Sequence, residues 1–362
     1  MQDELEKRII DGDDDIQAFS VLADYLIEQG DPRGEFIQVQ LALEDANLAQ
    51  EKRQRLEIRE STLLTEHQRG WLGSLAPVLL EDQKTWTSPD YAFRRGYLHS
   101  LILRDLTEDL VATLVSGSEA RFIQKLSLFH CLDDDNLIWS LGEASWPAMR
   151  GFEFGDGSGS INEGGAAASF IANMPRIETL SVSGRSVDTH FFSMSMPHLR
   201  TLSVSCAHDF QVDKLAENSS LDRLEVIELF PHALEFGESS EGYLGLEHVR
   251  TLVGSPHLPS LQRLELFMST AGDAGCRAIV DSGILVRLRE LNLTFGEVTD
   301  EGAAILAGSP DIGHLRKLVL NGNSLTEQGI QTLRSCGIAE VIAQDQRKWG
   351  EDREYLGYGD CE

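Results

Sequence analysis

No stretch of this 362-residue sequence approaches the roughly 20 uninterrupted apolar residues that a membrane span needs. Its first residues, Met1-Gln-Asp-Glu-Leu-Glu6, lack the basic-then-apolar character of a secretory leader. A cytoplasmic protein is expected. Cysteine is scarce as well: Cys131, Cys206, Cys276, Cys336 and Cys361 are scattered, odd in number and never spaced as C-x-x-C. That usage argues against a disulfide framework or an ordinary zinc site and for reduced thiols. His130-Cys131 lies close to Asp133, Asp134 and Asp135. This cluster lacks the alternating carboxylates and turn glycine of a calcium loop, and reads as a solvated acidic turn. No metal and no cofactor are expected.

Positive charge is in short supply: 31 Lys and Arg against 59 Asp and Glu leave a net charge of −28. Phosphate-rich nucleic acid and anionic lipid are repelled by such a surface, so the expected partner is a protein, neutral or basic. Catalytic signatures are missing too. No G-x-S-x-G elbow, H-E-x-x-H helix or kinase motif occurs, and the ten histidines fall singly. The glycine-rich run Gly155-Asp-Gly-Ser-Gly-Ser160 follows a predicted strand but lacks the Gly-Lys-Ser/Thr ending of a phosphate loop, and reads as a turn between repeats.

What the chain does have is repetition, with enough apolar content (41%) to build a substantial core. The phrase Leu288-Arg-Glu-Leu291-Asn-Leu293 returns as Leu315-Arg-Lys-Leu318-Val-Leu320, 27 residues later. Earlier copies start at Leu98, Ile123, Met149, Ile177, Leu199, Leu224 and Leu261, and a degenerate one at Ile338. Apolar residues two apart predict a short strand, since alternate side chains of a strand share one face. The runs Thr299–Ala307 and Thr326–Arg334 predict helices with Asp or Thr at their N-caps. One strand and one helix cannot bury their own apolar face, so such units must stack.

The pattern Leu315-x-x-Leu318-x-Leu320-x-x-Asn323-x-Leu325, followed by Gly329 and Leu333, resembles leucine-rich repeats of the ribonuclease-inhibitor type. The resemblance implies an α/β solenoid, with a curved parallel sheet inside and helices outside, of about ten units over residues 98–345.

Residues 1–73 differ in character, being helical in period and dense in charge. Phe19, Leu22, Ala23 and Leu26 fall on one helical face that stops at Gly30, Asp31 and Pro32 start the next helix, and a third runs from about Gln50 to His67. The stretch Leu22–Gln40, with Arg59-Glu60, Leu63-Leu64, His67 and Trp71-Leu72-Gly73, resembles the bacterial repeat-companion domain, and Phe93-Arg-Arg-Gly96-Tyr-Leu98 resembles the segment that leads it into a first strand. That family implies no biochemical activity. Residues 74–97 then form a connecting or capping segment and residues 346–362 a tail or cap. Trp71 and Trp86 are expected to bury the seam, and Arg33 to pair with a nearby carboxylate.

In each phrase the leucines point into the core and the residues between them line the concave face. Two adjacent copies carry Glu-Leu-Phe, at Glu228–Phe230 and Glu265–Phe267, so Glu228 and Glu265, and Phe230 and Phe267, are expected side by side, extended by Glu290 and Asn292. Exposed aromatic anchors beside carboxylates suit a basic or neutral protein partner. The blander alternative is cross-strand packing with carboxylates for solubility. Phe129 and Glu153 occupy equivalent positions in earlier copies. The insertion Pro231–Tyr243 follows Phe230, and the Ser/Thr rows from Thr179 to Ser205 read as a polar ladder.

The leading expectation is therefore a non-catalytic protein-protein interaction scaffold using the concave face. A regulatory subunit acting through its N-terminal helical domain is the second reading. An enzyme with a site assembled in space, near the insertion or the Gly155 turn, is the third.

Overall fold

The computed structural model describes residues 1–12, 15–81, 88–129, 135–155, 167–184, 187, 189–206, 210–231 and 244–347. His130 to Asp134, Trp86, the glycine run after Gly155, nearly all of the Pro231–Tyr243 insertion and the tail from residue 348 lie outside the described residues. The chain divides into two compact units, Met1–Glu153 with Ala172–Arg176, and the remainder.

The first unit opens with four helices, α1 (Gln2–Asp11), α2 (Ile16–Glu28), α3 (Pro32–Leu43) and α4 (Gln50–Leu72), then α5 (Ala76–Glu81). Local chemistry sets their limits. Asp15 accepts from the Ala18 amide to cap α2, and Asp31 accepts from the Arg33 amide, with Pro32 opening α3. Strands β1 (Asp90–Arg94), β2 (Tyr97–Leu103), β3 (Lys125–Leu128) and β4 (Gly151–Phe154) follow in chain order, with α6 (Glu108–Ser116) after β2 and α7 (Asp135–Gly142) after β3. β2 and β3 are parallel, whereas β1 pairs antiparallel with β2. The link is a two-residue turn, Arg95-Gly96, in which both residues have positive φ (49° and 86°), the twist that suits a tight hairpin.

That hairpin is locked to the helices. The Arg95 side chain is 2% exposed, bonds Glu44 through two nitrogens at 2.8 and 2.6 Å, and lies 5.2 Å from the Phe19 ring centre. Buried Gln40 accepts from the Gly96 amide at 2.8 Å and donates to Glu60 and to the Phe93 carbonyl. Ile9, Phe19, Leu22, Leu26 and Ile37 share one apolar cluster with Tyr97, Phe122 and Ala148. Trp71, expected at the seam, stacks on Phe36 at 4.6 Å and meets Phe93 edge-on. The helices and the first repeats thus share a core.

Arg33 departs from expectation. Its guanidinium lies 5.1 Å from the Tyr97 ring centre and 6.0 Å from that of Trp71 rather than against a carboxylate. The nearby carboxylate, Glu35, is held by Arg59 through two bonds of 2.6 Å. Successive residues of a helix point about 100° apart, so Arg33 and Glu35 face different neighbours.

The second unit holds α8 (Ala167–Ala172), β5 (Thr179–Gly184), β6 (Thr201–Cys206), α9 (Val212–Glu217), β7 (Val226–Pro231), α10 (Leu246–Val253), β8 (Arg263–Leu266), α11 (Gly272–Asp281), β9 (Glu290–Asn292), α12 (Asp300–Ala307), β10 (Lys317–Val319), α13 (Glu327–Arg334) and β11 (Glu340–Ile342). β5 to β11 are parallel neighbours in chain order. Leu264, Leu291 and Leu318 stand in register and are fully buried, while Arg263, Glu290 and Lys317 beside them are not. Thr179, Ser181 and Ser183 align with Thr201, Ser203 and Ser205.

Polar groups also close between repeats. Asn323, 1% exposed, accepts from the Gly296 and Val298 amides at 3.0 and 2.8 Å and donates to the Leu293 and Asn321 carbonyls. Asp273 of α11 accepts from the amide and hydroxyl of Thr299, the N-cap of α12, and Asp300 of α12 does the same for Thr326 of α13. A methyl at Gly302 or Gly329 would collide with that carboxylate, which is why glycine stands third in both helices. Among the described residues no helix is long and apolar enough to cross a membrane.

Two predictions follow from these closures. Replacing Asn323 with Ala strands buried amides and should cost about 3 kcal/mol in denaturant unfolding, and a loss under ~0.5 kcal/mol would contradict the assignment. The second concerns Glu44. Burial raises its pKa, but the Arg95 bond and the charges of Arg95 and Arg94 outweigh it and hold the carboxyl below its ordinary range. The unfolded chain therefore binds the proton more readily, so this contribution is full above the ordinary carboxylate pKa and is lost as pH falls through the lowered native value. Unfolding followed from about pH 7 to about pH 3 should show the gap between wild type and Glu44→Gln narrowing with acid; a constant gap would contradict it.

Candidate interaction surface

Parallel stacking decides which side chains can meet on the open face of the second unit's sheet. Register sets Glu228 on β7 beside Glu265 on β8, and Glu265 beside Asn292 on β9. Phe230 ends the same row of β7, and Phe267 immediately follows β8. Their rings lie 4.2 Å apart at 31°, close to stacking, and both remain partly exposed. The pair packs on itself and still offers apolar surface to solvent.

Like charges on neighbouring strands destabilise a sheet, and here Arg263 offsets them. Its guanidinium bonds Glu228, reaches Glu265 at 2.7 Å and lies 3.8 Å from Glu290, its register neighbour on β9. Burial would lower the Arg263 pKa, but the bond to Glu265 and the charges of Glu265, Glu228 and Glu290 prevail and raise it. Asn292 donates to Glu265 at 3.1 Å and accepts from the Thr294 amide and hydroxyl. Lys317 on β10 is the register neighbour of Glu290 on its other side, so two cations stand among the three carboxylates and leave the set about one charge negative. Glu228 and Glu265 are 18% and 14% exposed and are engaged by Arg263, so Glu290, at 41%, is the carboxylate most open to a partner.

Sequence reasoning placed Arg263 on this face and missed its role. The available signal was its position two residues before Glu265 on one strand face, with another glutamate, Glu290, at the same point of the next repeat. Phe129 and Glu153 belong to the first unit. Phe129 directly follows β3, its amide donating to the Leu103 carbonyl, and Glu153 on β4 accepts from the Ser127 hydroxyl at 3.0 Å. The other six residues lie in the second unit.

The described residues contain no group of three or more His, Cys, Asp and Glu able to hold a metal ion. Cys276 and Cys336 are free thiols. Burial, aided by Asp273, pushes the Cys276 thiol up to about 12, so it is a core residue and a poor nucleophile.

A family model described as leucine-rich repeat matches residues 288–307, spanning β9 and the whole of α12. These are leucine-rich repeats. Among solved structures, a Bacteroides fragilis protein is 17% identical over 82% of this chain and 85% of its own, with a TM-score of 0.51. An internalin, InlF of Listeria monocytogenes, is 13% identical over 70% of this chain and 69% of its own, with a TM-score of 0.39. Toll in the Drosophila Toll–Spätzle complex is 11% identical over 69% and 31%, with a TM-score of 0.45. The first likeness supports the leucine-rich repeat fold. No curated protein matches the chain.

Proposed function

We propose that this leucine-rich repeat protein is a non-catalytic scaffold that binds a neutral or basic protein partner on the open, expectedly concave, face of the sheet around Glu228, Phe230, Glu265, Phe267, Glu290 and Asn292. Leucine-rich repeat folds generally serve protein-protein interaction, which supplies the class; the location comes from side chains. The observation that carries it is the partly exposed Phe230 and Phe267 pair beside a carboxylate row that stays about one charge negative after Arg263 and Lys317 are counted. Aromatic anchors bordered by polar groups are what binding hot spots are made of. The partner's apolar side chain would cover the two rings while a Lys or Arg meets Glu290. Phe129 and Glu153 would form a second patch on the first unit.

The net charge of −28 supports the same choice of partner, since it disfavours nucleic acid and anionic lipid and speeds encounter with a basic surface. No catalysis is included in this proposal.

The double variant Phe230→Ala, Phe267→Ala should reduce recovery of the partner captured by wild type from native extract, with affinity falling on the order of thirtyfold or more, while circular dichroism stays unchanged. Undiminished recovery by the folded variant would overturn the location.

A further inference from the structure

The first unit carries a half-open cavity of about 280 Å³ whose lining includes Glu6, Arg33, Trp71, Tyr97, Glu119 and Arg121. These residues come from α1, α3, α4, β2 and the segment before β3, so the cavity depends on the helices and the first repeat being packed together. Part of its charge is already spent internally. Glu6, 5% exposed in its side chain, bonds Arg121 and accepts from the Tyr97 hydroxyl and from Gln2, both at 3.0 Å. Burial, and next the Glu6 charge, raise the Tyr97 pKa far above the ordinary phenol value, so it stays a hydrogen-bond donor.

Arg33 is engaged differently. It lies over the Tyr97 and Trp71 rings, with no carboxylate within ion-pair distance among the described residues. An arginine outside any ion pair keeps N–H donors in the fork geometry that fits a carboxylate. Glu119, on the same cavity wall, likewise has no ion-pair partner among the described residues. One cation and one carboxylate thus line a small space beside aromatic rings, neither consumed by a protein ion pair.

Charge decides among ligand classes. The ionisable lining, Asp3, Glu6 and Glu119 against Arg33 and Arg121, sums to about −1, which disfavours a simple anion. A simple cation would find the Tyr97 and Phe122 faces already covered by Arg33 and Arg121. A molecule bearing both charges fits the lining. The volume lies just below the ~300 Å³ at which pockets for drug-sized ligands begin, which suits a small one.

We propose that this cavity is a binding site for a small zwitterion with an apolar group, of the class of the free α-amino acids, with its carboxylate on Arg33, its ammonium toward Glu119 and its apolar group against Trp71. Bound there, the ligand would tie α3 and α4 to the segment before β3 and stabilise the first unit.

The test uses the full chain with phenylalanine, tryptophan and leucine as probes, followed by calorimetry and by the shift in melting temperature. 3-Phenylpropionate and phenethylamine, each lacking one charge, are the controls. At least one amino acid should bind saturably and raise the melting temperature, and the control lacking either charge should bind at least tenfold more weakly. Arg33→Gln and Glu119→Gln should each weaken amino-acid binding about tenfold or more. Should Arg33→Gln fail to fold, Glu119→Gln carries the comparison, because it removes no cation-aromatic contact. Absence of binding by all three amino acids up to about 10 mM, equal binding of a one-charge control, or unchanged affinity in folded Glu119→Gln would overturn the proposal.

Discussion

A leucine-rich strand and its helix cannot bury their own apolar face, and this constraint underlies the rest of the structure. Leu264, Leu291 and Leu318 are fully buried because each unit lends its neighbour a wall. Parallel pairing in chain order is the arrangement that lets every repeat do so. Once the leucines turn inward, the residues between them must turn outward, and register makes each a neighbour of its counterparts on adjoining strands. The surface is therefore fixed row by row by the same packing that fixes the core.

Buried polar groups follow the same repeat-to-repeat logic. Asn323 satisfies amides and carbonyls on both sides of a turn, and the Asp273 and Asp300 carboxylates each cap the helix of the following repeat. In the first unit the corresponding device is the Arg95-Gly96 turn, where Glu44 and Gln40 hold a hairpin against the helices. An unsatisfied group at any of these places would cost as much as a sizeable fraction of a domain's net stability.

Sequence periodicity was enough to locate most of the fold, because strand and helix periods are properties of the backbone. Each repeated phrase from Leu98 to Ile338 falls on or immediately before a strand, and the Asp31-Pro32 and Thr299 signals mark real helix starts. Boundaries and single partners were less accessible. α4 runs on to Leu72, and β1 is an antiparallel addition that the repeat phrase does not encode. Arg33 was expected to face a carboxylate and lies over aromatic rings, and Arg263 emerged as the hub of its row only with coordinates. Long charged side chains choose partners by reach in three dimensions, which spacing along a chain does not specify.

The functional account rests on a partner approaching from the sheet face of the second unit rather than from its helices. A photo-crosslinking residue placed in turn at Glu290, on that face, and at Glu301, exposed on α12, compares the two approaches directly. The account predicts a crosslinked partner from position 290 and none from position 301. A crosslink from position 301 alone would contradict it.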